Sequence, residues 1–183
     1  MKKKLIALTG IALILTMGLA ACAPVETASS TAEPTAAADT QTNEAKEDTI
    51  MLYDYDGNAV DIFADGKPVY LKAWASWCPT CLAGLGDLDA LFAEQRDFKV
   101  ITIVAPGVFG EKSEDEFKHW LAGLADEYPN VQVLFDRDGD MMYSLGIQAF
   151  PTSYYFDSQG NLMGTVIGHN DNDYINTTMA GIQ

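Results

Sequence analysis

Between Val69 and Phe92 the chain makes one abrupt change of pattern, and few folds accommodate it. Val69-Tyr70-Leu71-Lys72-Ala73-Trp74-Ala75 is a mostly apolar run of strand length, as expected of a strand buried on both faces. It passes through Ser76-Trp77-Cys78-Pro79-Thr80-Cys81 with no long loop. From there Cys81, Leu85, Leu88 and Phe92 recur at i, i+4, i+7 and i+11, the apolar face of an amphipathic helix. Pro79 suits the first turn of that helix, because the N–H it lacks would find no partner there. Gly84 and Gly86 each cost about 1 kcal/mol relative to alanine inside a helix, so close packing is predicted around them.

Cys78 and Cys81 therefore stand three apart where a strand turns into a helix. Cys78 meets free N–H groups and the positive end of the helix dipole, and both favour the reactive thiolate. Cys81 lies one turn inside, within bridging reach and less exposed. Exchange then has an order: Cys78 forms a mixed disulfide with a substrate, and Cys81 resolves it. The intervening Pro79 and Thr80 tune how readily the pair is reduced. Two other readings of the pair exist. A zinc half-site would need a second pair of ligands, for which the sequence offers His119 and His169. A purely structural bridge would close only two residues and restrain the unfolded chain little.

The remaining pattern alternates strands and helices. Ile50–Tyr53 and Ala59–Phe63 flank Asp56-Gly57-Asn58, a hairpin signal. Residues 98–104 read as a buried strand, and Ser113 to Glu116 as a capping box opening a helix with Phe117, Trp120, Leu121 and Leu124 inward. A strand over 131–135, a short helix over 141–145, and a hairpin of 153–156 with 162–167 follow. A last helix is expected to be capped by Asn170, with Ile175, Met179 and Ile182 inward. The order β, β, β-α, β-α, β-α, β, β, α predicts an α/β fold with a central mixed sheet, helices on both faces and an antiparallel edge.

The first residues read as an address. Lys2, Lys3 and Lys4 precede seventeen uncharged residues from Leu5 to Ala21, near the lower limit for crossing about 30 Å of hydrocarbon. Leu19-Ala20-Ala21-Cys22 resembles the lipobox of bacterial lipoproteins, which implies cleavage before Cys22 and diacylation of its thiol. Residues 1–22 are thus a lipoprotein signal, and 23–47, rich in Ala, Thr, Ser, Glu and Pro without aromatic residues, a disordered tether. The predicted location is outside the cytoplasm, anchored to the bacterial membrane by lipid. A net charge of −15 argues against nucleic acid as a partner. Nothing in the sequence points to a metal, nucleotide or flavin cofactor.

Lys72-Ala73-Trp74-Ala75-Ser76-Trp77-Cys78-Pro79-Thr80-Cys81 resembles the active-site signature of the thioredoxin superfamily, in its exported TlpA/ResA-like branch. Phe150-Pro151-Thr152, opening a strand some seventy residues later, resembles that family's cis-proline position. The resemblance spans 48–183 and implies a thioredoxin-like domain, with Pro151 opposite the sulfurs and the Phe150 backbone offering an edge to substrate peptide. Trp77, beside Cys78, would help to dock apolar segments. One departure is Lys72, which stands where thioredoxins carry a buried acid that moves the proton of the resolving thiol. Its ammonium either points toward the thiols or ends in solvent at a strand end. The segment Val104–Lys112, with Phe117-Lys118-His119-Trp120, resembles the thioredoxin-like domain fused in some bacteria to methionine sulfoxide reductase domains. That likeness implies a reductase that takes electrons from a membrane thiol carrier and passes them to an exported methionine sulfoxide reductase. Glu111 in this segment is either a site carboxylate or a solvated loop acid. The same dithiol chemistry also fits cytochrome c maturation or disulfide formation, and the structural-bridge reading fits a non-catalytic binding lipoprotein.

Overall fold

A computed structural model describes residues 50–182. The predicted signal at 1–22, Cys22 with its lipid, and the tether at 23–47 lie outside those residues. Seven strands form one sheet in the order β2-β1-β5-β4-β3-β6-β7. They are β1 (Leu52–Tyr53), β2 (Ala59–Val60), β3 (Val69–Ala73), β4 (Lys99–Val104), β5 (Leu134–Phe135), β6 (Thr152–Phe156) and β7 (Leu162–Ile167). The centre, β3-β4-β5, is parallel, whereas β1 joins β5 and β6 joins β3 in antiparallel fashion. The predicted mixed sheet is present. Its strands at 59–63 and 131–135 are shorter than the sequence suggested, because Asp61 turns the chain by accepting the Phe63 N–H and Val131–Val133 run outside the ladder.

Every residue of β3 is buried, which is why its sequence shows no alternation. Tyr70, Lys72 and Trp74 face one side, and Leu71 and Ala73 the other. The first side packs under α1 (Pro79–Ala83), α2 (Leu85–Ala93), α3 (Glu114–Ala122) and α5 (Asn172–Ala180), through Leu85, Leu88, Leu91, Phe117, Ile175 and Met179. The second side is covered by the short α4 (Asp140–Ser144), through Met142, and by Leu52 and Ile62 of the first hairpin. Helices thus lie on both faces, unequally. Phe117 meets the Trp74 ring at 5.8 Å and Phe135 at 5.9 Å, edge contacts worth about 0.5–1.5 kcal/mol each beyond area burial.

Two helix predictions need correction. The helix expected to run on from Cys81 breaks at Gly84, which ends α1 and opens α2. Residue 84 has to be glycine for a packing reason: a Cβ there would lie 2.6 Å from His169 Nδ1, so only glycine lets that ring approach. At Gly86 the nearest atom to such a Cβ is 4.0 Å away, so no close packing offsets its cost. The last helix is capped by Asp171, whose carboxylate accepts the Tyr174 N–H at 2.8 Å. Asn170 instead donates to the Tyr155 hydroxyl. The capping box of α3 forms as the sequence predicted, with Ser113 and Glu116 satisfying each other's N–H groups.

Candidate active site

Cys78 and Cys81 are joined by a disulfide, their Cα atoms 5.2 Å apart. Cys78 occupies the N-cap of α1 in extended conformation, and its Sγ accepts the Cys81 N–H at 3.2 Å. Its own N–H bonds to the Ala75 carbonyl, and its carbonyl receives the Leu82 N–H. The backbone around the outer sulfur is thus fully committed, and one donor already points at the atom that would carry thiolate charge. Pro79 and Thr80 are exposed on the first turn. The expected contrast in exposure is small: Cys78 is 4% exposed and Cys81 1%. Both sulfurs sit at the top of the cluster formed by Trp74, Leu85 and Phe117.

Aromatic side chains surround this turn. Trp77 is 49% exposed and meets the Phe150 ring edge-on at 5.7 Å. The Phe150–Pro151 peptide bond is cis, and Pro151 is buried at the entry to β6. Trp77, Phe109, Ile147, Gln148, Ala149 and Phe150 line a recess of about 410 Å³. Phe109 was not among the residues the sequence singled out. It holds a left-handed backbone (φ 52°) between Gly107 and Gly110, which are left-handed too, and its ring reaches Phe150 at 5.9 Å and Tyr143 at 4.9 Å. The two flanking glycines were the available signal, since they mark a chain forced through left-handed space.

Glu111 is 8% exposed and cannot be the solvated loop acid that was one reading of it. Its carboxylate accepts from the Ser76 N–H and hydroxyl and from the Lys112 N–H. The Lys112 ammonium donates to the Ser76 hydroxyl at 2.7 Å and lies over the Trp120 ring at 5.5 Å. The β4–α3 loop is therefore tied to the turn two residues before Cys78. Ser76 and Lys112 also went unpredicted, because their roles depend on a contact across thirty-five residues.

Lys72 is not at an exposed strand end. It is 3% exposed, in the middle of the sheet, paired in register with Thr102 and Ser153. Its ammonium comes within 3.5 Å of the Cβ position of Gly84, one turn beyond Cys81. Burial pulls its pKa down to about 8, partly offset by the charge of Asp87. Among the described residues no group of three or more His, Cys, Asp or Glu side chains is arranged to hold a metal ion.

A strand-to-helix dithiol facing a cis-proline loop, on a mixed sheet of this order, defines the class of thioredoxin-like thiol-disulfide oxidoreductases. Residues 31–179 match the Redoxin family, and the chain belongs to it. Among solved structures it is similar to the exposed lipoprotein thioredoxin Etrx1 of Streptococcus pneumoniae, 40% identical with a TM-score of 0.66 over 72% of this chain and 98% of that one. It is similar also to the N-terminal domain of PilB from Neisseria gonorrhoeae, 28% identical with a TM-score of 0.63 over 70% of this chain and 86% of that one. Among curated sequences, an uncharacterised Haemophilus influenzae protein is 50% identical over 105 residues, which are 57% of this chain and 66% of that protein. The thiol:disulfide interchange protein DsbE of Pasteurella multocida is 35% identical over 109 residues, 60% of this chain and 55% of the relative. The chain thus spans about half the length of the DsbE relatives it matches.

Proposed function

We propose that this protein is an extracytoplasmic thiol-disulfide reductase, anchored at Cys22 by lipid, that delivers electrons to exported protein disulfides. A methionine sulfoxide reductase is the leading client, and a membrane thiol carrier recharges the dithiol. The observation that carries the chemistry is the Cys78 N-cap, where the sulfur already accepts the Cys81 N–H beside the Phe150–Pro151 loop. In the reduced protein the Cys78 thiolate attacks a client disulfide, and one client sulfur leaves as a thiolate. Cys81 then attacks Cys78 Sγ, the Cys78–Cys81 bond forms, and the second client sulfur leaves. The client gains two electrons and the protein returns to the bridged state. Trp77 and Phe150 would seat the client segment, Pro79 and Thr80 tune the potential, and Glu111 holds the turn. Support for the client comes from the sequence likeness of 104–112 and 117–120 to domains fused to methionine sulfoxide reductases. Support for the anchor comes from the Leu19–Cys22 pattern and from the similarity to an exposed lipoprotein thioredoxin.

The DsbE relatives favour a second reading, in which the same exchange serves apocytochrome c thiols or disulfide formation. One midpoint potential separates reduction from oxidation: near or below about −200 mV for a reductase, nearer −120 mV for an oxidase. The decisive test of exchange itself is the full chain carrying Cys81→Ser, expressed in cells. Client proteins should accumulate as mixed disulfides on Cys78 and disappear when Cys78→Ser is added. Normal expression with no trapped species would leave only a binding lipoprotein with a structural bridge.

A further inference from the structure

We propose that the recess walled by Trp77, Phe109 and Phe150 is a specificity site, which takes an aromatic side chain standing two residues from the client's disulfide cysteine. The inference rests on the exchange proposed above and adds which clients it favours. Four rings form a continuous row beside the dithiol. Trp77 meets Phe150 at 5.7 Å, Phe150 meets Phe109 at 5.9 Å, and Phe109 meets Tyr143 at 4.9 Å. The rings at the two ends, Trp77 and Tyr143, are 49% and 60% exposed, so the row faces solvent rather than filling the core.

Phe109 stands where a phenylalanine is unfavourable unless its ring is needed. The Glu111 N–H bonds to the Val108 carbonyl at 2.9 Å, closing a turn whose central residues, Phe109 and Gly110, have φ of 52° and 76°. Turns with two positive φ in succession are dominated by Gly, Asn and Asp, because a larger side chain crowds its own backbone there. Among the described residues Phe109 is the only one other than glycine with positive φ. The loop is tied at its base by the Gly107 N–H to the Lys112 carbonyl, and by Glu111 to Ser76. Its tip is fitted on both sides. A Cβ on Gly110 would lie 3.8 Å from Trp77 Nε1, and one on Gly139 would lie 3.2 Å from Val108 and 3.1 Å from Tyr143. Strain of this kind persists where the surroundings impose it, and it gathers at binding sites. What the strained turn supplies here is one wall of the recess.

The recess itself selects the occupant. A cavity of ~150 Å³ holds a benzene ring, and this one, about 410 Å³ and open on one side, has room for one aromatic side chain. Its lining is Trp77, Phe109, Ile147, Gln148, Ala149 and Phe150, with no charged side chain among the described residues, in a chain of net charge −15. It shares Trp77 and Phe150 with the exchange site, so a client segment engaged at Cys78 reaches it without a second docking event. In an extended segment, side chains two residues apart point the same way and stand about 6.5 Å apart. A client cysteine held at Cys78 therefore directs its second neighbour along the ring row that begins at Trp77.

The test uses the reduced full-length protein and short peptides of alanine and serine around one cysteine, each as its symmetrical disulfide. One keeps alanine two residues before and after the cysteine; two others place phenylalanine at one of those positions. In the reaction the peptide S–S bond breaks, the Cys78–Cys81 bond forms and two peptide thiols are released, which chromatography after acid quenching counts. The faster phenylalanine peptide should react about tenfold faster than the alanine peptide. Phe109→Asn, which suits the turn, should bring that ratio close to one, and Phe109→Tyr, which keeps the ring, should retain it. The ratio cancels any general change in sulfur reactivity. Gln148→Glu sets a carboxylate in the recess and should raise the rate of a lysine peptide severalfold over that of the alanine peptide. Equal rates for phenylalanine and alanine peptides, a preference that survives Phe109→Asn, or no gain for lysine in Gln148→Glu would each overturn the proposal. A dimer in sedimentation that Phe109→Asn dissociates would assign the rings to a second copy of the chain and overturn it too. No reaction with any peptide would sink the exchange reading itself.

Discussion

Glu111 grips Ser76 twice, accepting its backbone N–H at 2.5 Å and its hydroxyl at 2.6 Å. The grip joins the loop after β4 to the turn that carries Cys78, and both residues are buried. Hydrogen bonds to a charged group contribute about 1.5–3 kcal/mol, and orphaned buried partners cost as much again. Glu111→Ala should therefore lower unfolding stability by roughly 2–4 kcal/mol, read as a shift in urea midpoint with unchanged slope. Glu111→Gln, which keeps one acceptor oxygen, should lose less. A midpoint that does not move in either variant would mean that the loop is held by other contacts.

Trp77 presents half of its surface to solvent beside Cys78 and leans on Phe150. A ring so placed stabilises little inside the fold and is positioned to cover apolar client surface. Trp77→Ala should leave the melting temperature nearly unchanged. Reduction of a protein disulfide should lose about tenfold in kcat/KM, the equivalent of the roughly 0.5–1.5 kcal/mol of an aromatic contact, and the loss should appear in KM. Reduction of a small disulfide such as cystamine should be affected far less. Equal losses for both substrates would tie Trp77 to sulfur reactivity rather than to docking.

Much of this was legible from local pattern. The apolar run into Trp77-Cys78-Pro79-Thr80-Cys81, the capping box at Ser113 and the turn glycines each concern neighbours in sequence, and the chain obeys them. What was missed depends on distant contacts. Gly84 reads as a tolerable helix glycine until the His169 ring, eighty-five residues away, is seen against it. For Lys72 the sequence left open an exposed strand end or an ammonium turned toward the thiols, because nothing in sequence says that β4 and β6 flank it on both sides. The pairing of Glu111 with Ser76 is of the same kind, and Asp171 displaced Asn170 as a cap because Asn170 is occupied by Tyr155.

Glu114 ties three elements together at the start of α3. It accepts from Arg137 Nε at 2.8 Å and from Lys118 at 2.9 Å, and the Arg137 guanidinium lies over the Tyr53 ring at 4.0 Å. The Arg137 bond foremost, with Lys118, holds its carboxyl down at about 2, against 4.5 ordinarily. A depressed acid contributes stability that is complete above its unfolded value and lost as pH falls toward the folded one. Glu114→Gln should therefore destabilise by about 1–2 kcal/mol at neutral pH, after allowance for solvent screening. The deficit should fade between pH 4.5 and about 2, and a deficit constant over that range would assign it to packing.

Lys72 carries the opposite sign. Its folded pKa of about 8 lies below the ordinary 10.5, so the unfolded chain holds the proton to higher pH. Below pH 8 both states are protonated, and the fold bears the full cost of an enclosed ammonium. Between pH 8 and 10.5 the folded state sheds its proton first, and that cost is progressively relieved. The difference corresponds to roughly 3 kcal/mol. Lys72→Met fills similar space without charge, so at neutral pH it should be the more stable protein by up to about that amount. Its advantage should shrink steadily as pH climbs through this window. Tyr70 and Tyr155, whose raised values weaken the fold in alkali, are common to both proteins and cancel in the comparison. Urea midpoints of the two proteins measured side by side from pH 7 upward are the check, and a gap independent of pH would show that folding does not lower the pKa of this amine.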